Sequence, residues 1–183
     1  MGGEVQRVTP TAAIPIFGRS ADNIRDHRHV TSLLHRIRTT GYGVYVKPSL
    51  SFDERGHQKN ELTYFVCGIT GNGEKPRDFY PVTEDYIGEG GSYTHPFKVI
   101  KNEDGVPGES YFEGKEALGG IRFSEIVLNP GESASYTIIM GVAEQEEGIE
   151  KILLSYADSE KVKKAWQEMD DYWQNKVNVR YRT

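Results

Sequence analysis

The segment from Gly43 to Gly71, GVYVKPSLSFDERGHQKNELTYFVCGITG, restricts the possible folds more than any other part of the chain. Val44, Val46, Leu50 and Phe52, with Pro48 in phase, alternate with Tyr45, Lys47, Ser49 and Ser51. A period of two predicts a strand with one buried face. Leu62 to Ile69 is apolar on both faces, as in a strand covered on both sides. Between them lies the polar run DERGHQKN. The pattern predicts a long hairpin whose connection carries Asp53, Glu54, Arg55 and His57. By default such a connection is simply solvated, because loops are polar before they are functional.

A chain of 183 residues fits one domain, or one domain with an appendage. Its formal charge of −5 argues against a nucleic-acid partner, which needs a basic surface, although Arg25 to Arg38 is locally basic. Cys67, the one cysteine, has no internal disulfide partner and reads as a small hydrophobe within a strand. Residues 1–20 lack the apolar core of a signal peptide, and no run reaches the length of a membrane span. A cytoplasmic protein with no membrane contact is the simplest expectation.

Residues 5–17 predict one extended strand, with Val8, Ala12, Ile14 and Ile16 on one face and Pro10 and Pro15 marking an edge. The segment RDHRHVTSLLHRIRTT suits either helix or strand, and the β-rich context favours strand. Residues 72–120 hold most of the glycines and prolines and predict a long, loop-dominated excursion. Tyr80, Tyr86, Tyr93, Phe97, Tyr111 and Phe112 supply aromatic surface there, about half of them expected to anchor it to the sheet. IRFSEIVL (121–128) and SYTIIMGVA (135–143) predict a second strand pair, joined by the turn Asn129-Pro130-Gly131-Glu132. The pattern then becomes helical. Ile149, Ile152, Leu153 and Tyr156 predict a short amphipathic helix beginning near Glu146. Asp158 is placed to cap a second, whose apolar stripe is Val162, Ala165, Trp166, Met169, Trp173 and Val177. The chain ends at Thr183 without a breaker, which reads as cut rather than finished.

The order of these elements resembles a known domain. Leu128, Pro130, Gly131, Glu132, Ser133 and Gly141 match an "L-x-PGES" turn followed by a strand ending in Gly, and Tyr172-Trp173 matches an aromatic-Trp pair closing a helix. With GKEALGG, IGEGGS, FGRSADNIRDHRHVTSLLHR and LSFDERGH, the chain resembles the end of the N-terminal β-sandwich and linker helices of glycoside hydrolase family 94, the inverting glycoside phosphorylases. The subgroup acting on 1,2-β-linked glucans looks nearest. The resemblance implies a mainly β fold: a partial antiparallel β-sandwich of galactose-mutarotase-like type over residues 1–143, then linker helices over 144–183. It also implies that the catalytic acid and phosphate site belong to a helical barrel domain missing from this sequence. No activity, catalytic residue or cofactor is therefore expected of this chain. The implied partners are a β-glucan oligosaccharide, met through the parent enzyme, and the barrel. A homodimer is expected because a partial sandwich leaves apolar surface and open strand edges.

Two polar clusters are the candidate sugar-contacting residues: Arg25, Asp26, His27, Arg28 and His29, and Asp53, Glu54, Arg55 and His57. Arg forks and carboxylates suit sugar hydroxyls because they form paired hydrogen bonds. The alternative is a stand-alone, cupin-like metal- or ligand-binding sandwich. On a strand, His27 and His29 would share a face, and His35 or His57 could complete a ligand set. No carboxylate follows at the expected spacing, so no metal is assigned. Asp53 and Glu54 are adjacent and point apart, unlike a glycosidase carboxylate pair.

Overall fold

The computed structural model describes residues 3–18, 31–53 and 56–177, with side chains for all of these except 51–53 and 56–58. Twelve strands occur among them: β1 (Gln6–Val8), β2 (Thr11–Ile16), β3 (His35–Thr39), β4 (Gly43–Pro48), β5 (Leu50–Asp53), β6 (Gly56–Lys59), β7 (Thr63–Thr70), β8 (Asp78–Val82), β9 (Tyr111–Glu113), β10 (Ala117–Arg122), β11 (Ile126–Leu128) and β12 (Tyr136–Ala143). The helices are α1 (Thr83–Ile87), α2 (Phe97–Ile100), α3 (Ile149–Ser155) and α4 (Ser159–Lys176). A five-stranded sheet runs in the order β12-β7-β4-β3-β9 and a three-stranded one in the order β2-β10-β8, while β1-β11 and β5-β6 form two-stranded ribbons. All strand pairings are antiparallel.

The two larger sheets bury one shared core. Ile37, Val44, Val46 and Val66 come from the five-stranded sheet; Ile16, Phe79, Val82, Ala117 and Ile121 come from the three-stranded one, with Phe123 beside them. Gly119 permits this closeness, and Gly120 permits a tight approach to β8 within the smaller sheet. A β-carbon at Gly119 would lie 2.4 Å from Val66, and one at Gly120 2.4 Å from the backbone oxygen of Tyr80. Both outer faces are also covered. Tyr45, Phe65, Cys67 and Ile69 pack with Ile149 and Leu153 of α3, and Leu118 and Tyr80 pack with Tyr86 of α1. The result is a β-sandwich with a helix against each outer face.

The Gly43–Gly71 hairpin is present, with Gly43 opposite Cys67 and Val46 opposite Tyr64. Its details differ from the sequence expectation. The first half breaks at Ser49 into β4 and β5, and the polar connection is itself a ribbon in which Asp53 pairs with Gly56. Tyr45 is buried as well as Val44 and Val46, because α3 covers the face assigned to solvent. The 5–17 strand is likewise two strands, interrupted at Thr9–Pro10.

Other expectations are corrected in part or outright. Residues 72–120 are mostly turn and loop, as expected, but they also supply β8 and β10, two strands buried along their full length that the expectation lacked. The turn at Asn129–Glu132 forms, with Glu132 N–H donating to Asn129 O at 3.0 Å and Gly131 at a φ of +87°. It does not close a hairpin: β11 pairs with β1 and β12 with β7. The turn instead carries the chain from the β1-β11 ribbon to the five-stranded sheet. Of RDHRHVTSLLHRIRTT, only His35–Thr39 is strand, while 31–32 are helical and 25–30 lie outside the described residues. The C-terminal helices follow the sequence closely. A 3₁₀ turn over Glu146–Gly148 leads into α3, and the Asp158 carboxylate accepts the Glu160 N–H at 2.9 Å to cap α4.

Candidate functional site

His35, the first residue of β3, organises one end of the sandwich. Its ring is 3% exposed, with Nδ1 3.2 Å from the Lys115 carbonyl and Nε2 3.1 Å from the Phe17 carbonyl. A neutral imidazole has one N–H and donates to only one carbonyl at a time; an imidazolium would donate to both. Burial lowers the pKa below its ordinary 6.5, against the opposing pull of the two carbonyls and the Glu116 charge. A cavity of about 10 Å³ beside the ring is lined by Phe17, Ser32, Thr83, Tyr93 and Glu116 among others, which leaves room for a water at most. With both nitrogens facing carbonyls, His35 is not free to complete a metal set, contrary to the sequence suggestion.

This end is also where the two predicted polar clusters are rooted. Gly18 sits at a φ of +60°, and a β-carbon there would lie 2.7 Å from His35 Nε2 and 3.0 Å from Pro48 Cγ. Only glycine fits that contact and that backbone angle. Across the same corner, Ser49 N–H donates to the Leu34 carbonyl at 3.0 Å. Gly18 and Thr31 bracket the stretch holding Arg25, Asp26, His27, Arg28 and His29, and Ser49 opens the ribbon carrying the second cluster. Arg25–His29, Glu54 and Arg55 lie outside the described residues. Asp53 closes β5 and His57 lies in β6 opposite Phe52, as backbone positions. Among the described residues no group of three or more His, Cys, Asp or Glu could hold a metal ion.

A second constellation, not anticipated from the sequence, joins the central strand β10 of the smaller sheet to its edge strand β8. Arg122 of β10 is 3% exposed and donates through Nη1 to Asp78 Oδ2 at 2.9 Å and Asp104 Oδ1 at 2.5 Å. Its Nη2 donates to Asn102 Oδ1 at 2.8 Å, and Asp78 Oδ1 accepts the Gly105 N–H at 3.1 Å. One guanidinium thus fastens the 102–105 loop to two strands. Asp104 has its carboxyl held below the usual range by its hydrogen bond to Arg122 and the nearby Arg77 charge. The loop lines a cleft of about 680 Å³ beside β8, α1 and α2, whose lining includes Phe97 and Phe112 together with Asp85, Glu89, Lys98 and Lys101. A cleft that mixes aromatic and charged side chains can hold a small amphipathic ligand. The missed signal was DFYP followed, some forty residues on, by LGGIR: an acid and an arginine at matching ends of two strands that pair.

The comparisons with known proteins add no relative. A scan against protein families matches none, and a search of curated proteins returns no match.

Proposed function

We propose that this chain is a non-catalytic, carbohydrate-associated β-sandwich module of a glycoside phosphorylase acting on β-glucans, one that helps shape the substrate site of its parent enzyme. The observation that carries the reading is the common corner formed by Gly18, His35, Pro48 and the Leu34–Ser49 hydrogen bond. The two segments rich in Arg, His and Asp leave the sandwich from this corner. Their side chains would contact sugar hydroxyls, and the acid and phosphate chemistry would come from a barrel-bearing polypeptide. The mainly β, antiparallel sandwich followed by helices agrees with the family that the sequence resembles. The galactose-mutarotase-like topology belongs to this same proposal.

The test is a titration of the purified chain with a 1,2-β-oligoglucan, followed by isothermal calorimetry or chemical-shift change. Binding is expected, weakened by Arg28→Ala and by Arg55→Ala. The same sample in phosphate buffer is expected to release no glucose 1-phosphate. Absence of binding together with unchanged spectra would refute sugar contact, and release of glucose 1-phosphate would refute the non-catalytic role.

A further inference from the structure

At the end of β10 opposite the His35 corner, the buried Arg122 lines a second pocket, of about 270 Å³. Arg7 of β1, Thr9, Thr11 at the start of β2, Lys98 of α2 and Asn102 line it too. Its charge is lopsided: Arg7, Lys98 and Arg122 are cations and only Glu125 is a carboxylate, in a chain whose formal charge is −5. The hydrogen-bonding capacity leans the same way. Asn102 Oδ1 accepts from Arg122 Nη2 at 2.8 Å, which leaves both amide hydrogens of Asn102 without an acceptor among the described residues. The hydroxyls of Thr9 and Thr11 have no partner among them either. Arg7 reaches Glu125 at 2.6 Å through Nη1 alone, and Lys98 reaches Glu103 at 2.9 Å with one of its three protons. Both pairs are single contacts that water reaches, so they occupy their cations weakly. The pocket thus has donors to spare, and its one carboxylate is already engaged.

We propose that this pocket binds a tetrahedral oxyanion, the phosphate of a small phosphate monoester whose uncharged body lies in the adjoining cleft. A neutral sugar needs acceptors as well as donors, and the pocket offers almost none of the former. A phosphate brings acceptors only, and charge-assisted hydrogen bonds to it are the strong ones. Its oxygens point in several directions, as the donors do, which come from β1, the start of β2, α2 and the 102–105 loop. A planar carboxylate would serve fewer of them. The site is also built rather than incidental. Asn102 holds a φ of +51°, and the nearly sealed Arg122 fixes it there through its side chain and, at 3.4 Å, its carbonyl. A buried charge is costly, and here it sets the direction of one of the pocket's donors. The volume exceeds what a bare phosphate fills. Tyr80 and Lys98 line both this pocket and the 680 Å³ cleft, so an ester can extend past them toward Phe97 and Phe112. Asp85 and Glu89 in that cleft disfavour a second anionic group, which makes the body uncharged. The site binds and does not react, and it is separate from the phosphate chemistry assigned above to a barrel.

The test titrates the full chain with inorganic phosphate and with phenyl phosphate at about pH 7.5, where monoesters are mostly dianionic. Ionic strength is held constant so that screening does not change. Amide shifts at residues 7–11 and 98–102 are expected to saturate for both ligands, with sulfate competing and acetate failing to compete. Phenyl phosphate should bind about tenfold more tightly than phosphate, because its ring enters the cleft. Arg7→Gln and Lys98→Gln should each weaken both ligands about tenfold and leave thermal unfolding nearly unchanged, since each breaks only a weak pair. Phe97→Ala should weaken phenyl phosphate alone. Shifts that never saturate, or that survive both charge variants, would overturn the oxyanion site. Acetate competing as well as sulfate would overturn its tetrahedral preference, and equal affinity for the two phosphates would overturn the monoester assignment. No oligoglucan enters these titrations and Arg28 and Arg55 are left in place, so this failure and failure of the carbohydrate reading are told apart.

Discussion

Arg122 illustrates how much a single side chain can hold in this protein. Its charge is nearly sealed from water, and Asp78 beside it is equally buried, with side chains 3% and 8% exposed. Removing one member of such a pair strands the other, which typically costs about 3–5 kcal/mol. Arg122→Met is therefore expected to lower the unfolding free energy by roughly that amount and to free the 102–105 loop, measured by urea unfolding and amide exchange. Asp104→Asn should cost much less, because Asp104 is 66% exposed and water replaces its share. His35 sets a different dependence. Its folded pKa lies below 6.5 because burial disfavours the charged ring, so the unfolded chain takes up the proton first as pH falls. Its contribution is fully present above the unfolded value and is lost as pH drops through the folded one. Urea midpoints compared at about pH 7.5 and 5.5 should fall for the native chain, and this part of the fall should vanish in His35→Gln.

At the scale of elements, the sandwich depends on how closely β10 approaches both neighbours. Gly119→Ala would put its methyl carbon 2.4 Å from Val66 Cβ, an atom fixed to the β7 backbone, so the two sheets would have to part and the cost should be about 3 kcal/mol or more. Gly120→Ala would meet the Tyr80 backbone oxygen of β8 at 2.4 Å and should cost as much. Thermal unfolding of the two variants measures these costs, and Val66→Ala added to Gly119→Ala should rescue little, because the clashing β-carbon remains. The same glycines explain why β10 was hard to read. ALGGIR has neither alternation nor the β-branched density of a strand, because its interior is selected for close approach rather than for side-chain packing. In DFYPV, Pro81 masked an edge strand buried on both faces. By contrast, TYFVCGIT and the α4 stripe were legible because long apolar runs and helical spacing are local signals. Strand partners are not local. Nothing in Asn129–Glu132 distinguishes a hairpin turn from one that sends the chain on to a different sheet. The candidate site was legible as two polar segments, but the corner that roots them depends on His35, Gly18 and Pro48, whose meeting only tertiary structure supplies.

For the whole molecule, the two C-terminal helices should behave as parts of different units. Ile149 and Leu153 of α3 are fully buried against Phe65, Cys67 and Ile69, so this helix completes the outer layer of the larger sheet. Polar contacts tie both its ends. Glu146 accepts from Arg38 and, at 3.1 Å, from Thr63 Oγ1; Thr137 Oγ1 donates to the Tyr156 carbonyl at 3.2 Å. In α4, nothing is buried against the body. A chain ending at Ala157 should therefore unfold at nearly the same temperature as the full chain, having lost only helical signal. A chain ending at Ala143 bares the far side of β7 and β4. Burial of each large aliphatic side chain contributes about 1.5–3 kcal/mol, so losing Ile149 and Leu153 together removes a large part of a domain's usual margin. The shorter chain is expected to aggregate or to unfold tens of degrees lower. Cys67 offers a direct readout, since burial pushes its pKa up to about 12 and hides the thiol from reagents in the native fold. Thiol labelling without denaturant should be slow in the full chain and in the chain ending at Ala157, and fast in the chain ending at Ala143. Slow labelling and an unchanged melting temperature in that shortest chain would mean that the sandwich is complete without α3, and that α3 merely rests upon it.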